Sequence, residues 1–362
     1  MTAVERRHGR ILLGLILAAL AVAFASLFVG RYPITPDTMV RVLAARGAEM
    51  VYGALARIQP DGALTEFAAR LVPAATWEET VETVVFSIRL PRVLLALSIG
   101  AGLSISGAAF QGMFQNPLVS PDLLGVTAGA GLGAAIGILL GGSTVAIQLA
   151  ALLCGIGAVA LTYVMSRIYR TTPTLMLVLS GIVVGSICNA LLSLAKYLAD
   201  PHDELPTIVF WLMGSLATVT RDDALHAIPP ILGGITVLLL LRWRINLLSM
   251  GDDEARALGV NPDRLKTVLI VASTLVTAAG VSVSGIIGWV GLVIPHIGRM
   301  LVGPDHRILL PVSLALGGIY LTLIDDLARA STEVEIPLGI LTAIVGAPFF
   351  AYMLRRTRGG WG

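Results

Sequence analysis

The chain has 362 residues, of which 56% are hydrophobic and 13% are charged, and its formal net charge is +2. A soluble domain carries about 25% charged residues, so this composition excludes an ordinary water-soluble protein. The net charge by itself says nothing about nucleic acid, but no basic run interleaved with aromatic residues occurs away from the membrane ends, and we expect no nucleic-acid partner. We therefore expect most of the chain to lie in a membrane.

Taken in chain order, about ten apolar stretches are long enough to cross some 30 Å of hydrocarbon, which needs roughly 20 helical residues. Glycine and serine near 142–144 and 285 interrupt longer apolar runs and mark two of the boundaries. The sequence predicts an all-α polytopic membrane protein of one domain, residues 1–362. The predicted spans lie at about 11–30, 93–114, 123–141, 145–165, 174–198, 224–241, 267–284, 286–302, 308–324 and 337–354.

The basic residues indicate which side of the membrane each loop occupies, because Lys and Arg in short loops mark the cytoplasmic face. Arginines cluster at 6–10 before the first span, within 242–266, and at 355–358 after the last span. With an even number of spans, both termini are then cytoplasmic. Residues 31–88, between the first two spans, form a long extracytoplasmic connection, and 245–264 form a cytoplasmic loop.

The third span carries a glycine every fourth residue, namely Gly125, Gly129, Gly133, Gly137 and Gly141. This spacing places them along one nearly straight stripe of a helix. In a bilayer, helices associate by close backbone approach at such small-residue faces. The stripe predicts a helix seam, either within one subunit or along a wide path or subunit boundary.

Motifs for catalysis are missing from the sequence. Its two lysines, Lys196 and Lys266, do not lie in a phosphate-binding G-x-x-x-x-G-K-[ST] motif, and its five histidines form no H-E-x-x-H pattern. Cys154 and Cys188 both fall inside predicted spans without a C-x-x-C pair. We expect neither an enzyme nor a chain that itself binds a metal or cofactor.

The cytoplasmic loop contains a predicted short helix. Ser249 is placed to cap it, the acidic residues at 252–254 favour its positive N-terminal end, and Gly259 is placed to end it. Ala255 and Leu258 are predicted to face one way and to form a small apolar knob rimmed by charge. Such a knob suits a groove on a partner protein, and the alternative is a solvated connector helix.

Two arginines open the second span. Arg89 and Arg92 flank Pro91, which is tolerated at a helix start, and both guanidinium groups are predicted to project at the outer surface. One interpretation makes them anchors that snorkel to the membrane interface. The other makes them forked donors to carboxylates of another protein, the geometry that arginine suits best.

Polar residues also occur inside or beside the spans. Asn116 and Pro117 predict a turn after the second span, since the residue before proline leaves the helical region, and we expect that turn to be capped and buried. Asn189 and Lys196 lie in the fifth span, where a polar group is a functional candidate by default. Lys196 is also placed to snorkel to the interface.

Several motifs together resemble the FecCD-type permease family, the membrane subunits of ABC importers for iron chelates, haem and vitamin B12. None is specific alone, but the set covers almost everything from 89 to 356. The segment 30–89 is longer than the family pattern leads us to expect. The motifs are RLPR, QNPLVSPDLLG, WLMGSL, NLLSMGDDEARALGV, GLVIPHIGRMLVG, IDDLAR and IPLGILTAIVGAPFF.

The resemblance implies the type II ABC importer permease fold in a bacterial or archaeal cytoplasmic membrane. It implies a homodimer that works with two ATP-binding cassette subunits, which bind ATP and Mg²⁺, and with one substrate-binding protein. The implied cargo is an iron–siderophore, haem or cobalamin. The alternative is an ATP-independent carrier or channel, but the predicted spans lack a convincing chain of Asp, Glu or His for a charge relay.

The resemblance also implies three groups of site residues. Binding-protein docking falls on Arg89, Arg92 and Arg329. The translocation path and its gate fall on Thr171, Thr172, Thr174 and Asn189. Coupling to the ATPase falls on Ser249, Gly251, Asp252, Asp253, Glu254, Ala255, Arg256, Leu258 and Gly259.

Overall fold

A computed structural model describes residues 3–58, 64, 77–167, 174–332 and 334–356, and the regular structure in these ranges is helical. A short 3₁₀ turn, Pro121–Leu124, precedes the fourth helix. The helices are α1 (Ala3–Ser26), α2 (Pro36–Ile58), α3 (Glu79–Met113), α4 (Val126–Leu139), α5 (Thr144–Ser166), α6 (Thr174–Leu198), α7 (Glu204–Met213), α8 (Arg221–Leu248), α9 (Asp252–Ala257), α10 (Pro262–Ser284), α11 (Val290–Val302), α12 (His306–Ser331) and α13 (Leu338–Arg356).

The predicted fold class is confirmed. In the described ranges, 7 helices are long and apolar enough to cross a membrane, namely α1, α3, α5, α6, α8, α10 and α12. The shorter α4, α11 and α13 are apolar and lie at the three remaining predicted spans. The sequence analysis did not predict α7, an apolar helix of 10 residues between the fifth and sixth spans.

The outer connection is shorter than predicted, because α3 begins at Glu79 and not near Arg89. Residues Thr83–Arg89 form a π-helical segment within it. At 1.5 Å per residue, the 35 residues of α3 extend about 52 Å, so the helix is longer than the hydrocarbon is thick and reaches beyond it. Much of the connection itself is helical, because α2 covers Pro36–Ile58.

Helix α3 is the centre of the bundle. Its most apolar window is 83% buried, whereas that of α1 is 6% buried. It packs most extensively against α12, where Gly100 faces the Gly317 carbonyl, and also against α11, where Gly107 faces the Gly291 carbonyl. A Cβ at Gly100, Gly107 or Gly317 would overlap these backbone atoms, so the contacts depend on glycine.

The predicted glycine seam is confirmed for three of its positions. Gly129, Gly133 and Gly137 face α5 so closely that an added Cβ would touch its backbone or side chains. Gly125 instead lies just before α4, near α6, and Gly141 follows the end of the helix. The stripe therefore packs within the subunit.

Candidate functional site

The first candidate site is the elbow, which we define as residues 249–259 between α8 and α10, within the loop predicted to be cytoplasmic. Helix α9 occupies its centre, Gly251 is its N-cap, and Gly259, at φ +80°, follows its end. The prediction that Ser249 caps this helix is wrong. Its N–H donates to the Ile245 carbonyl at 2.9 Å, so the chain at Ser249 still belongs to the last turn of α8.

The acidic first turn of α9 is confirmed and contains Asp252, Asp253 and Glu254. Asp253 is exposed and accepts a hydrogen bond from Arg256 at 2.8 Å. Asp252 instead turns inward and accepts from Lys266 of α10 at 2.7 Å. The elbow is therefore held to the bundle by one inward ion pair and carries another on its surface.

The elbow exposes one apolar side chain. The prediction that Ala255 and Leu258 face one way is wrong, because Ala255 is 0% exposed and Leu258 is 57% exposed. Leu258 follows the last residue of α9 and leaves helical geometry, with ψ at 13°, so its side chain points away from the bundle. An exposed leucine beside Asp253 and Arg256 has the form of a docking knob.

The base of the elbow is fixed by a polar cluster. The Asn246 amide donates to Asp305 at 2.7 Å, and Arg307 donates to the same carboxylate at 2.6 and 2.9 Å. The hydrogen bonds from Arg307, with that from Asn246, hold the pKa of Asp305 well below its usual range. This permanently charged carboxylate joins the end of α8 to the start of α12.

The second candidate site is the outer arginine cluster, which we define as Arg89, Arg92 and Arg329. These residues are 3%, 4% and 7% exposed, so the prediction that the guanidinium groups of the first two project at the outer surface is wrong. The reason is tertiary, because α12 runs beside α3 and brings Asp325 against Arg92. Arg89 is instead buried against backbone carbonyls.

The cluster is an ion-pair network. Arg92 donates from Nε and Nη2 to Asp325 at 3.0 and 2.8 Å, and from Nη1 and Nη2 to Glu335 at 3.1 and 2.7 Å. Arg329 pairs with Asp325 at 3.2 Å and with Asp326. Two carboxylates thus divide one guanidinium group between them, in the forked geometry that arginine favours.

Arg89 differs from its two neighbours. It donates to the backbone carbonyls of Leu27 at 2.8 Å and Tyr32 at 2.5 Å. No carboxylate of the described residues lies within ion-pair distance of it. A half-open cavity of about 200 Å³ reaches all three arginines and is also lined by Gly30, Tyr32 and Glu335. The positive charge of Arg89 therefore stands beside space that a small acidic group can enter.

The third candidate site is on α6. Thr174 is its first residue and accepts a hydrogen bond from Lys266 at 3.3 Å, whereas Thr171 and Thr172 lie outside the described residues. Asn189 is exposed, and so are Ser186 and Ser193 at helical spacing from it. A polar stripe of this kind is unfavourable against hydrocarbon, so water or another protein surface is expected to cover it.

The turn at Asn116 agrees with the prediction in part. The Asn116 side chain accepts from the Leu118 N–H at 2.9 Å, so the turn is capped. It is exposed, however, and the prediction of a buried turn is wrong, because α3 ends at Met113 and releases the following residues from the bundle.

The sequence analysis missed the functional contacts of Lys266, Asp325 and Glu335. Asp325 and Arg329 stand four residues apart on one helix, which is a local signal for an ion pair. The contacts of Lys266 and Glu335 join residues 14 and 243 positions apart, and no spacing within a helix reports them.

The geometry defines a multi-pass helical membrane protein with an exposed elbow between two spans and a buried ion-pair network. The family is shown by direct comparison: the sequence matches the FecCD transport family over residues 15–356. The chain belongs to this family, as the motifs predicted.

Individual relatives agree with this assignment. The molybdate import system permease protein MolB of Haemophilus influenzae is 39% identical over 353 residues, 98% of this chain and 97% of that protein. The cobalamin import system permease protein BtuC of Halobacterium salinarum is 42% identical over 278 residues, 76% of this chain and 74% of that protein. A solved inward-facing structure of a metal-chelate type ABC transporter aligns at TM-score 0.81 and 38% identity, covering 96% of this chain and 99% of that one.

The family consists of membrane permease subunits of ABC importers, which work with ATPase subunits and a binding protein. The chain is accordingly a multi-pass permease of the inner membrane, and its part in the system is transport and not catalysis. The ATP-driven interpretation is favoured over the ATP-independent carrier or channel.

Proposed function

We propose that this chain is the membrane subunit of an ATP-driven importer and that it acts as a homodimer. Two ATPase subunits, which bind ATP and Mg²⁺, dock at the cytoplasmic face, and one substrate-binding protein docks at the opposite face. Both chain termini lie in the cytoplasm. The observation that carries the proposal is the elbow, where Leu258 is 57% exposed on a short helix mounted between two spans.

The elbow supports ATP coupling for a physical reason. ATP hydrolysis drives a chain that lacks a nucleotide-binding motif only through a partner that grips it, and the grip must differ in free energy between the inward-facing and outward-facing states. Leu258 offers apolar area for such a grip, while Asp253 and Arg256 offer charges that fix its orientation. The base at Asn246 and Asp305 then passes the force into α8 and α12.

We propose a small oxyanion of the molybdate type as the first candidate for the cargo. An alignment that covers 98% of this chain includes most of the outer connection between α1 and α3, so the molybdate permease shares the segment that is long for the family. The cobalamin permease aligns with 76% of the chain. The iron–siderophore, haem and cobalamin cargoes predicted from the motifs are the competing candidates.

The path proposal rests on α6. The exposed stripe of Ser186, Asn189 and Ser193 offers neutral hydrogen-bonding groups, which guide a polar cargo without holding a charge tightly. Thr174 is the first residue of the same helix, and we propose the gate at this end. Thr171 and Thr172, which lie outside the described residues, belong to the proposed gate because they precede Thr174 in the sequence.

Replacing Leu258 with aspartate should abolish coupling. The variant Leu258→Asp removes the apolar knob and adds a fourth negative charge to the elbow, which already contains Asp252, Asp253 and Glu254. We expect co-purification with the ATPase, and ATP-driven cargo uptake by vesicles, to fall at least tenfold. Molybdate, ferric siderophore, haem and cobalamin, each labelled and supplied with the cognate binding protein, are tested in parallel.

The matched control is Leu140→Asp, the same change at a residue that is 80% exposed. Leu140 directly follows α4, on the side of the membrane that we propose to be opposite the elbow, so this variant should keep ATPase capture. Accumulation of cargo against a gradient by vesicles that hold this chain without any ATPase would refute the importer proposal. Uptake of a chelate, haem or cobalamin, with none of molybdate, would replace the oxyanion cargo and leave the ATP-driven mechanism intact.

We propose that the outer arginine cluster receives carboxylates of the binding protein through the half-open cavity. Arg89 supports this because it stands at the cavity with carbonyl partners but no carboxylate. Glu335 lies on the wall of the same cavity, with 25% of its side chain exposed, and already occupies one side of Arg92. It is therefore expected to compete with an incoming carboxylate.

Removing this competitor should tighten docking. We expect Glu335→Gln to lower the Kd of the binding protein about fivefold, or by roughly 1 kcal/mol, because it frees part of the Arg92 guanidinium. Glu49→Gln removes the same charge from an exposed pair with Arg46 on the outer connection and should leave the Kd unchanged. Surface plasmon resonance on the purified importer measures both, and an unchanged or weaker affinity for Glu335→Gln would exclude the competition.

A further inference from the structure

Lys266 is a buried cation at the cytoplasmic end of the bundle, in the first turns of α10. Its side chain is 1% exposed, and it is among the largest fully buried side chains of the described residues. An ammonium group is costly to bury unless a charged partner compensates it, and Asp252 does so at 2.7 Å. The burial of this lysine therefore depends on the elbow.

The Lys266 ammonium group also reaches a third helix. Besides Asp252 of α9, it donates to the hydroxyl of Thr174, the first residue of α6, at 3.3 Å. The next residue, Thr267, is 2.6 Å from the hydroxyl of Tyr163 near the end of α5. Two consecutive residues of α10 thus contact the end of α5 and the beginning of α6.

Arg256 is the cation of the other ion pairs described in the elbow. Arg256 pairs with Asp253 at 2.8 Å and with Asp263 at 4.0 Å, and its side chain is 48% exposed. Asp252 differs because its partner, Lys266, also donates a hydrogen bond to Thr174 of α6. Among the described hydrogen bonds and ion pairs, the route from α9 to α6 passes through Lys266.

A buried ion pair is weak evidence for stability, because an apolar side chain of similar volume often stabilises a core as well or better. Its better supported use is to select one arrangement of packed elements over another. At this position the pair selects the arrangement in which α9 and α6 share the same cation. A displacement of α9 that stretches the 2.7 Å contact must move Lys266, break the pair or shift α6.

We infer that Lys266 is the positioning residue that links movement of the elbow to α6, by holding Asp252 and Thr174 on one ammonium group. The inference rests on the proposed function, since it requires an ATPase that moves the elbow. Because its side chain is 1% exposed, Lys266 acts on transport through α6 and not by direct contact with the ATPase or the cargo.

The test measures transport and ATP hydrolysis in the same vesicles, with the reconstituted importer and its binding protein. Lys266→Met keeps the length of the side chain and removes the charge. We expect the variant to capture the ATPase and to hydrolyse ATP within about twofold of the parent, while cargo transported per ATP falls about tenfold. Lys266→Arg should restore part of that ratio, because a guanidinium group can contact both partners.

Arg244→Met is the matched control, since it removes an exposed cation from the cytoplasmic end of α8 without touching Asp252 or Thr174, and it should keep the parent ratio. Thr174→Val and Asp252→Asn test the same route with smaller changes, should Lys266→Met fail to insert. Each should lower the ratio, and Asp252→Asn should add little to Lys266→Met, because both break one link.

An unchanged ratio of cargo to ATP in the folded Lys266 and Asp252 variants would overturn the inference. A double variant whose loss equals the combined losses of Lys266→Met and Asp252→Asn would also overturn it. Failure of the proposed function has a different signature. In that case the parent chain itself captures no ATPase, or transports cargo without ATP, before any residue is changed.

Discussion

Replacement of Asp325 with alanine is expected to lower the free energy of unfolding by about 3–5 kcal/mol. The Asp325 carboxylate is 0% exposed and lies between Arg92 and Arg329, at 2.8 and 3.2 Å. Its loss leaves both guanidinium groups buried with one carboxylate fewer. Glu335 still pairs with Arg92 and Asp326 with Arg329, so some protein should still insert and assemble.

The measurement is thermal unfolding of the purified chain in detergent or lipid nanodiscs. Asp37→Ala is the control, because it removes an aspartate from the exposed pair with Arg41, where both side chains are more than half exposed. Exposed pairs contribute little, so that variant should stay within about 0.5 kcal/mol of the parent. Equal melting temperatures for the two variants would mean that the buried network does not hold α3 to α12.

The Asp325 network illustrates which features of this site the sequence predicts. The sequence identified the two arginines around Pro91 as candidate site residues, but it did not predict that they are buried. Whether a guanidinium group meets water or a carboxylate depends on a helix that returns more than 200 residues later. Hydropathy places α3 and α12 in the membrane without stating that they are neighbours.

The elbow could be predicted to a greater extent, because most of its signals are local. Three consecutive acidic residues and Gly259 located α9 to within a few residues. The cap was assigned to Ser249 and not to Gly251, since the length of α8 decides where the preceding helix ends. The opposite exposures of Ala255 and Leu258 follow from the non-helical backbone after α9, which residue spacing does not encode.

Span prediction succeeded for a related reason. Ten apolar runs produced ten helices because backbone groups in hydrocarbon must be satisfied within the segment, whatever its neighbours. The sequence did not predict where α3 begins. Its first turn contains Glu79 and Glu82, which lower the hydropathy there, although acidic residues are tolerated where a helix extends beyond the hydrocarbon.

The second large effect is expected at the crossing of α3 and α12. Gly100→Leu should prevent stable packing or lower the free energy of unfolding by about 3 kcal/mol, the upper end for an overpacked core. A Cβ at Gly100 overlaps the Gly317 carbonyl oxygen and comes within 2.7 Å of the Leu321 Cβ. The obstacle includes backbone, so no change of side-chain rotamer removes it, and the two helices must separate.

Separation is costly because α3 also carries the contacts to α11 through Gly107 and Gly291, and it cannot shift toward one neighbour without leaving another. Gly157→Leu adds the same side chain at a glycine of α5 with nothing within 4 Å, and it should insert and melt like the parent. Fluorescence-detected size exclusion reports assembly, and thermal unfolding in nanodiscs reports stability. A monodisperse Gly100→Leu protein with the melting temperature of the parent would mean that α3 and α12 do not approach at this glycine pair.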